Sequence, residues 1–307
     1  ISLFILAGVA QGILWESLSV TPSLTGDDPS LSYGAIPYLI QKFMQGQFTP
    51  QYLYTRGTAN LPTILGLFTT IIVFLVVIYA EGVRVEMPIS YAGYRGFRSR
   101  YPIKLFYVSN LPVIFASALF ANVYFISQIV WSASNRSNNN PWLNLLGMYT
   151  TPSGGGTPTP TGGLVYFVIP PRSISDIISD PMGLARALAY TGILVAFAIV
   201  FSLTWLEVGG LGPSTVAKQL VDSGMEIPGF RRSEKPMEQV LKRYIPTVTI
   251  LGGALVGLIA AVADFFGVFG TGMGVLLSVG ILYQYYQLLM QERVAEMYPA
   301  LRRFFGG

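Results

Sequence analysis

The chain has 307 residues, of which 52% are hydrophobic and only 11% are charged, and its formal net charge is +4. Soluble domains carry about 25% charged residues, so this composition indicates an integral membrane protein. The sequence contains no cysteine and no histidine. Their absence excludes disulfide bonds, thiol nucleophiles, histidine acid–base catalysis, and zinc or haem ligation through those side chains.

Six apolar segments predict membrane spans, because an α-helix rises ~1.5 Å per residue and must cross about 30 Å of hydrocarbon. The first segment is somewhat short, and Ile1 lies inside an apolar run without a basic n-region. We therefore expect the chain to begin within a helix of a longer protein. The expected fold class is an all-α polytopic membrane protein with a single membrane domain. Its six predicted transmembrane helices cover residues 1–18, 61–83, 111–131, 185–206, 245–266 and 275–290.

Local signals predict where four of these helices begin. Asn60-Leu61-Pro62 and Asn110-Leu111-Pro112 precede the second and third spans, and Asp180-Pro181 and Ile245-Pro246 precede the next two. The side chain of asparagine can accept a hydrogen bond from an unpaired backbone N–H of the first helical turn. Proline is tolerated in that turn because the N–H that it lacks would have no partner within the helix. We interpret all four signals as helix starts.

Two basic segments separate the spans. Residues 84–107 predict a β-hairpin, because alternating polar and apolar residues are followed by a turn and a returning strand. Residues 213–222 predict a short helix that Gly224 ends, and residues 238–243 predict a second short helix. The turn between these two helices presents Arg231 and a second arginine.

The other long segments, residues 19–60 and 132–184, are polar and rich in turn residues. The first contains an amphipathic piece near residues 36–43. Within the second, residues 151–163 are of low complexity and are expected to be mobile.

The distribution of Lys and Arg predicts the orientation in the membrane. Under the positive-inside rule, loops 84–107 and 207–243 and the tail are cytoplasmic, and loops 19–60 and 132–184 are external. The successive loops and the tail contain two, five, two, six, none and three of these residues, for segments 19–60, 84–107, 132–184, 207–243, 267–274 and 291–307.

The sequence shows no pattern typical of catalysis or of ion-coupled transport. It has no metalloprotease, nucleophile-elbow or phosphate-loop motif, and no charged residue near the middle of a span. The acidic residues near the spans, Glu16, Glu81, Glu207 and Asp264, lie toward helix ends. We predict no catalytic residue, metal or cofactor. The basic loops either set topology alone or bind an acidic partner such as RNA phosphate or anionic lipid.

One amide, Asn122, lies near the middle of the third span. A polar group in hydrocarbon costs several kcal/mol without a partner, so this side chain must face protein or water. One interpretation is a hydrogen bond between helices, worth roughly 1 kcal/mol. The other is a helix that must sometimes separate from its neighbour.

Four stretches resemble the archaeal form of the SecY family. They are residues 101–114 (Tyr-Pro-Ile-Lys-Leu-Phe-Tyr-Val-Ser-Asn-Leu-Pro-Val-Ile), 118–122, 229–235 and 241–246, and the resemblance extends over essentially the whole chain. It implies half of a SecY-type channel, namely the fifth to tenth helices of a ten-helix pore subunit with a small cytoplasmic β-hairpin. Such a protein conducts unfolded polypeptides across the cell membrane and releases transmembrane segments into lipid, without catalysing a bond change.

The resemblance also implies roles for individual residues. Asn122 matches a polar position of the lateral gate. The hydrophobic pore ring matches Ile1, Ile5, Ile114 and Leu277. The ribosome-docking surface matches Arg98, Arg100, Lys104 and Arg231.

The partners implied by the resemblance are SecE-type and small beta-type channel subunits and the N-terminal half of the channel. Ribosomal RNA and proteins, signal sequences, the nascent polypeptide and membrane lipid complete the set. Two other functions fit the residues alone. One is half of a secondary transporter whose site uses Asn122 and Gln128, and the other is a ribosome- or lipid-binding membrane anchor without conduction.

Overall fold

The computed structural model describes residues 2–23, 30–56, 61–91, 98–108, 111–151, 158–171, 177, 181–226 and 234–297. Long helices dominate the described chain, and short helices and strands connect them. The helices are α1 Ser2–Leu18, α2 Ala35–Met44, α3 Ile64–Gly82, α4 Leu111–Ser134, α5 Pro141–Leu146, α6 Leu164–Val168, α7 Gly183–Val208, α8 Pro213–Asp222, α9 Glu234–Phe265 and α10 Gly272–Met297. The strands are β1 Arg84–Tyr91, β2 Arg98–Lys104, β3 Met148–Thr150, β4 Thr159–Gly162 and β5 Met225–Glu226.

The predicted fold class is confirmed. Five helices, α3, α4, α7, α9 and α10, are long and apolar enough to cross a membrane, and α1 is a shorter apolar helix of 17 residues. Large apolar side chains remain exposed on these helices, for example Phe68, Ile72 and Leu75 of α3. Such a surface is costly in water and favourable in lipid.

The centre of the bundle is a buried apolar cluster contributed by α3, α4, α7, α9 and α10. Val77, Val113, Leu194, Val256 and Leu276 are each at most 2% exposed there. Small residues bring α9 and α7 close together, since a Cβ on Gly257 would lie 3.1 Å from the Cα of Val195. Close backbone approach of this kind is the usual way in which helices associate in membranes.

The two basic segments form one structure at one end of the bundle. Strands β1 and β2 pair antiparallel, with Arg84 opposite Lys104, which confirms the predicted hairpin. Strand β5, from the second basic segment, adds to the free side of β1 opposite Ser90. The sheet order is therefore β2-β1-β5. Below it lies a second apolar cluster that includes Met87, Ile103, Leu220 and Leu241.

The prediction of a helix start at Ile245-Pro246 is wrong, as is the separate short helix at 238–243. Helix α9 runs unbroken from Glu234 to Phe265 with Pro246 inside it. An interior proline costs about 3 kcal/mol because it removes a backbone hydrogen bond and crowds the preceding turn. Met237, Leu241, Ile245 and Val248 are all buried on one side of this helix, so packing on both sides of the proline offsets that cost.

Helix α3 begins two residues after the predicted proline signal. Thr63 is its N-cap, and the Oγ1 of Thr63 accepts a hydrogen bond from the amide of Gly66 at 3.2 Å. Pro62 lies directly before the N-cap residue and outside the helix. The predicted caps Asn60, Asn110 and Asp180 lie outside the described residues.

The segment between α4 and α7 is more ordered than predicted. Helix α5, a β3–β4 hairpin and helix α6 occupy it. The expectation of mobility for residues 151–163 is wrong for Thr159–Gly162, which pairs with Met148–Thr150. Residues 152–157 lie outside the described part of the chain.

A buried arginine organises the segment between α1 and α3. Arg56 is 4% exposed and donates to the carbonyls of Tyr33 at 2.6 Å, Ser32 at 2.7 Å and Pro62 at 2.8 Å. Its guanidinium also lies 3.7 Å from the ring centroid of Tyr38. Burial lowers the pKa of Arg56 to about 10, so the side chain stays cationic at neutral pH. It ties this loop to the start of α3.

Candidate functional site

The base of the basic hairpin is attached to the last helix, α10. Arg84 donates from Nη2 to the hydroxyl of Tyr283 at 3.0 Å, and Lys104 donates from Nζ to Oε1 of Gln287 at 3.1 Å. The Lys104 ammonium also lies 5.6 Å from the ring centroid of Tyr283. Two cations that face each other across the hairpin therefore bind consecutive turns of one helix. We call the contacts of Arg84 and Lys104 with Tyr283 and Gln287 the hairpin–α10 contact.

The middle of the hairpin presents cations to solvent. Arg100 has 77% of its side chain exposed and forms an ion pair with Glu86 at 2.6 Å. The hydrogen bond with Glu86, and then its charge, raise the pKa of Arg100, so the guanidinium is permanently cationic. Because Glu86 bonds only one nitrogen of this guanidinium, its other N–H groups can bind a phosphate or a second carboxylate.

The second basic segment completes the same surface. Helix α8 buries Val216 and Leu220 while Lys218 remains exposed on its other side. The hydroxyl of Tyr107 donates to the carbonyl of Leu211 at 3.1 Å, which joins the two segments. Burial raises the pKa of Tyr107 to about 12, so this phenol stays protonated and keeps donating.

The structure gives the predicted docking residues different surroundings. Arg100 is exposed, as a docking residue requires, whereas Lys104 is half-buried in the hairpin–α10 contact. Arg98 lies in β2 opposite Ser90. Arg231, like the predicted pore residue Ile1, falls outside the described residues.

Helices α1 and α10 run antiparallel in direct contact. The hydroxyls of Ser2 and Tyr285 lie 3.4 Å apart at one end. Toward the other end, a Cβ on Gly12 would lie 3.8 Å from the Cα of Gly270. The two helices therefore form a continuous wall of the bundle.

Two predicted pore residues lie at the same level of this wall. A Cβ on Gly274 would lie 3.3 Å from a methyl group of Val9, and Ile5 and Leu277 are each about one turn further in the same direction. Ile5 is 42% exposed, and Leu277 and Ile114 are half-buried. Ile114 lies in the first turn of α4. These apolar side chains are thus available to face a space beside the bundle.

The amide of Asn122 makes one hydrogen bond within its own helix. Its Nδ2 donates to the carbonyl of Ala118 at 2.8 Å, and the residue is exposed. The predicted hydrogen bond to a neighbouring helix is therefore not made by this nitrogen within the described chain. Phe125 and Ile126 are exposed beside it, so a single polar residue interrupts an apolar face that points away from the other helices.

Two acidic residues that the sequence placed at helix ends bind groups on other elements. Glu16 of α1 accepts the amide of Gly270 at 3.1 Å, and Asp264 of α9 accepts the hydroxyl of Tyr190 at 2.9 Å. Both carboxylates line one cavity of about 300 Å³ at the end opposite the hairpin. Their observed contacts serve to connect helices.

Together these features define a polytopic helical membrane protein with a basic sheet at one end and exposed apolar side chains along its helices. The SecY family model matches residues 1–286, and the chain belongs to the SecY family. The predicted family is thereby confirmed.

The relatives are longer than this chain. It is 44% identical over 313 residues to the protein translocase subunit SecY of Pyrococcus horikoshii, covering 100% of this chain and 62% of that protein. It is 40% identical over 293 residues to the SEC61 subunit alpha of Neurospora crassa, covering 95% of this chain and 60% of that protein. The chain thus spans about three-fifths of the length of these relatives.

Solved structures agree with the fold as well. The chain superimposes on a protein-conducting channel with a TM-score of 0.72 at 35% identity, covering 98% of this chain and 60% of the other. For Sec61 in a canine ribosome–channel complex from the endoplasmic reticulum the TM-score is 0.67 at 33% identity, covering 98% of this chain and 60% of the other.

Proposed function

We propose that the chain is the larger part of the pore subunit of a protein translocase. In this role it conducts unfolded secretory polypeptides across the cell membrane and releases transmembrane segments laterally into lipid. The observation that carries the proposal is the agreement of 98% of the chain with a solved protein-conducting channel. The missing wall of the pore and its seal come from the remainder of the full-length protein.

Three apolar residues that are exposed or half-buried support conduction of an extended chain. Ile5, Ile114 and Leu277 offer aliphatic side chains that can close around a polypeptide and exclude hydrated ions, because such groups cannot replace the water an ion loses. Together with Ile1, they form the proposed pore ring. Asn122, alone on an apolar face, suits a helix that separates from its neighbour to admit a signal sequence, since its Nδ2 keeps a hydrogen bond within its own helix when the gate opens.

The basic end supports docking of an acidic partner. Arg100 and Lys218 are exposed on a surface built from both basic segments, and ribosomal RNA is the polyanion that such a surface suits. Arg98, Arg231 and Lys104 belong to the proposed docking set, with Lys104 also holding the hairpin to α10. SecE-type and small beta-type subunits, bound along the membrane-facing helices, are the other proposed partners.

We infer that the activity involves no bond chemistry. The half-buried acids Glu16 and Asp264 are engaged in structural hydrogen bonds. In this proposal the energy that drives polypeptide translocation comes from the docked ribosome or another partner.

Reconstitution tests the proposal. The full-length protein containing this chain, with its partner subunits, should move a signal-bearing precursor into vesicles and should not concentrate small solutes. Uptake of a small solute without precursor translocation would instead indicate a secondary transporter. Ribosome binding with neither activity would indicate a membrane anchor.

A further inference from the structure

Amide side chains, rather than hydrophobic contacts, shape the loop that follows α4. Asn135 donates from Nδ2 to Oδ1 of Asn144 at 2.7 Å and accepts the backbone amide of Asn140 at 3.1 Å. Asn144 in turn donates to the carbonyl of Asn138 at 2.8 Å. We call these four residues the asparagine platform.

The platform is fixed to the bundle through Asn138. Its Oδ1 accepts the indole N–H of Trp131 at 2.9 Å, and its Nδ2 donates to the carbonyl of Tyr149 at 3.1 Å. Asn138 has a backbone φ of 52°, a left-handed conformation that asparagine adopts more readily than most residues. Because Trp131 lies in the last turns of α4, the loop is held rigidly at the end of that helix.

Helix α5 extends from the platform and exposes two large apolar side chains. Asn140 caps the helix by accepting the amide of Trp142 at 3.1 Å. Trp142 is 80% exposed and Leu145 is 66% exposed, and a spacing of three residues places them on one side of the helix. Asn144 faces the platform instead, so α5 has a polar side held by the bundle and an apolar side left uncovered.

The position of α5 identifies what covers that side. Helix α4 is 24 residues long, about 36 Å, so its far end lies one membrane thickness from the basic hairpin. The exposed apolar residues Phe125, Ile126 and Ile129 continue along α4 toward this end. Trp142 therefore stands where the apolar surface of a span meets water, which is where tryptophan concentrates in membrane proteins.

An exposed cation accompanies the aromatic residue. Arg136 donates from Nε to the carbonyl of Ser132 at 3.0 Å and is otherwise open to solvent. A cation and an exposed tryptophan at the same end of α4 suit the membrane interface, where lipid phosphates lie next to the acyl chains.

We propose that α5 is an interfacial anchor: the asparagine platform holds Trp142 and Leu145 in the lipid headgroup region at the end of the bundle opposite the basic hairpin. The occupant of this apolar side is membrane lipid. The anchor fixes the depth of α4, the helix that carries Asn122, so that its far end stays at one level when the wall beside it opens.

Site-directed spin labelling tests the proposal, because this chain contains no cysteine and any cysteine in the remainder of the full-length protein is first replaced by serine. Trp142→Cys and Leu145→Cys are labelled with a nitroxide in the full-length protein, reconstituted in phospholipid vesicles. Ser137→Cys, exposed in the same loop but outside α5, is the matched control. Collisions with oxygen, which concentrates in lipid, are compared with collisions with a water-soluble nickel complex.

The expected result is that oxygen dominates at positions 142 and 145 and the nickel complex dominates at 137. Equal nickel access at 142 and 137 would overturn the proposal, as would shielding of 142 from both reagents, which would mean that protein covers this side. In the Asn144→Ala background the label at 142 should become more mobile and more accessible to nickel. An unchanged depth there would show that the platform does not hold the anchor.

Discussion

Lys104 at the end of β2 donates a hydrogen bond from Nζ to Oε1 of Gln287 on α10, at 3.1 Å. Leu277 lies ten residues earlier on the same helix, about 15 Å away along its axis. A rigid helix therefore links a residue of the basic hairpin to a proposed pore residue. A partner that moves the hairpin would act directly on α10.

Removing the hydrogen-bond acceptors on α10 should loosen the hairpin without unfolding the bundle. Gln287→Ala deletes one hydrogen bond, worth about 1 kcal/mol, and Tyr283→Phe removes the acceptor of Arg84. We expect faster amide hydrogen exchange in β1 and β2 for both variants, and more for the double variant. Gln291→Ala, an exposed substitution on the same helix, is the control. Exchange unchanged from the control would show that the contact does not hold the hairpin.

The exposed arginine of the hairpin should contribute to ribosome docking by more than its charge. Arg100→Glu should weaken ribosome binding several-fold at low salt, with the difference shrinking as salt rises. Arg100→Lys should lose part of that binding, because an ammonium cannot bind phosphate bidentately. Arg231→Glu should behave like Arg100→Glu. Co-sedimentation of ribosomes with vesicles across a salt series measures these effects.

A charge reversal at the opposite end provides the control for docking. Arg136→Glu changes the net charge by the same amount on an exposed residue of the loop after α4, and it should leave ribosome binding unchanged. If Arg136→Glu weakens binding as much as Arg100→Glu, net charge rather than a defined surface controls association.

Cysteine accessibility should place the two ends of the bundle on opposite sides of the membrane. Arg100→Cys lies in the basic sheet and Ser137→Cys follows α4, and this chain contributes no native cysteine that competes for the reagent. The positive-inside rule predicts that the first is labelled from the cytoplasm and the second from outside. Labelling of both by an impermeant reagent from one side would refute the orientation.

The sequence predicted the parts of this fold that depend on long apolar runs and on residue periodicity. The spans and the hairpin follow from those signals, and the resemblance supplied the family. The continuity of α9 through Pro246 could not be predicted, because buried residues on both sides of the proline outweigh its local preference. Strand β5 was missed because a pairing of two residues leaves no periodicity to detect.

Site residues that depend on tertiary contacts were also out of reach. Lys104 and Arg100 look equivalent in the sequence, yet one binds α10 and the other faces solvent. Nothing local indicates that Arg56 is buried, since its partners are backbone carbonyls whose positions only the fold determines. The asparagine-rich run after α4 was predicted only as part of a polar, turn-rich loop, because amide networks have no sequence period.

Arg56 should stabilise the loop between α1 and α3 substantially. Arg56→Met leaves buried carbonyls, those of Ser32, Tyr33 and Pro62, without their donor, and we expect a loss of about 2–4 kcal/mol. Arg56→Lys should recover part of it. Differential scanning calorimetry of the reconstituted protein measures the change. A melting temperature equal to that of wild type for Arg56→Met would show that these bonds contribute no net stability.

The same arginine allows a pH control. Burial lowers the pKa of Arg56 from 12.5 to about 10, so the folded state releases this proton before the unfolded state does. Its contribution to stability can therefore depend on pH only above about 9, where stability would increase with pH. Between pH 6 and 9 the difference between wild type and Arg56→Met should be constant. A slope in that range would mean that another group titrates with the loop.

The proposed pore ring should control resting conductance. Leu277→Asn or Ile114→Asn places an amide where a half-buried aliphatic group now stands, and an amide can replace part of the hydration shell of an ion. In the complete channel each variant should raise the resting ion leak and relax the requirement for a strong signal sequence. Leu289→Asn, the same change at a residue of α10 that is 60% exposed and lies three turns further on, should leave the leak low. Planar-bilayer recordings provide the measurement. Equal conductance for Leu277→Asn, Ile114→Asn and the control would mean that these residues serve only to pack the helices.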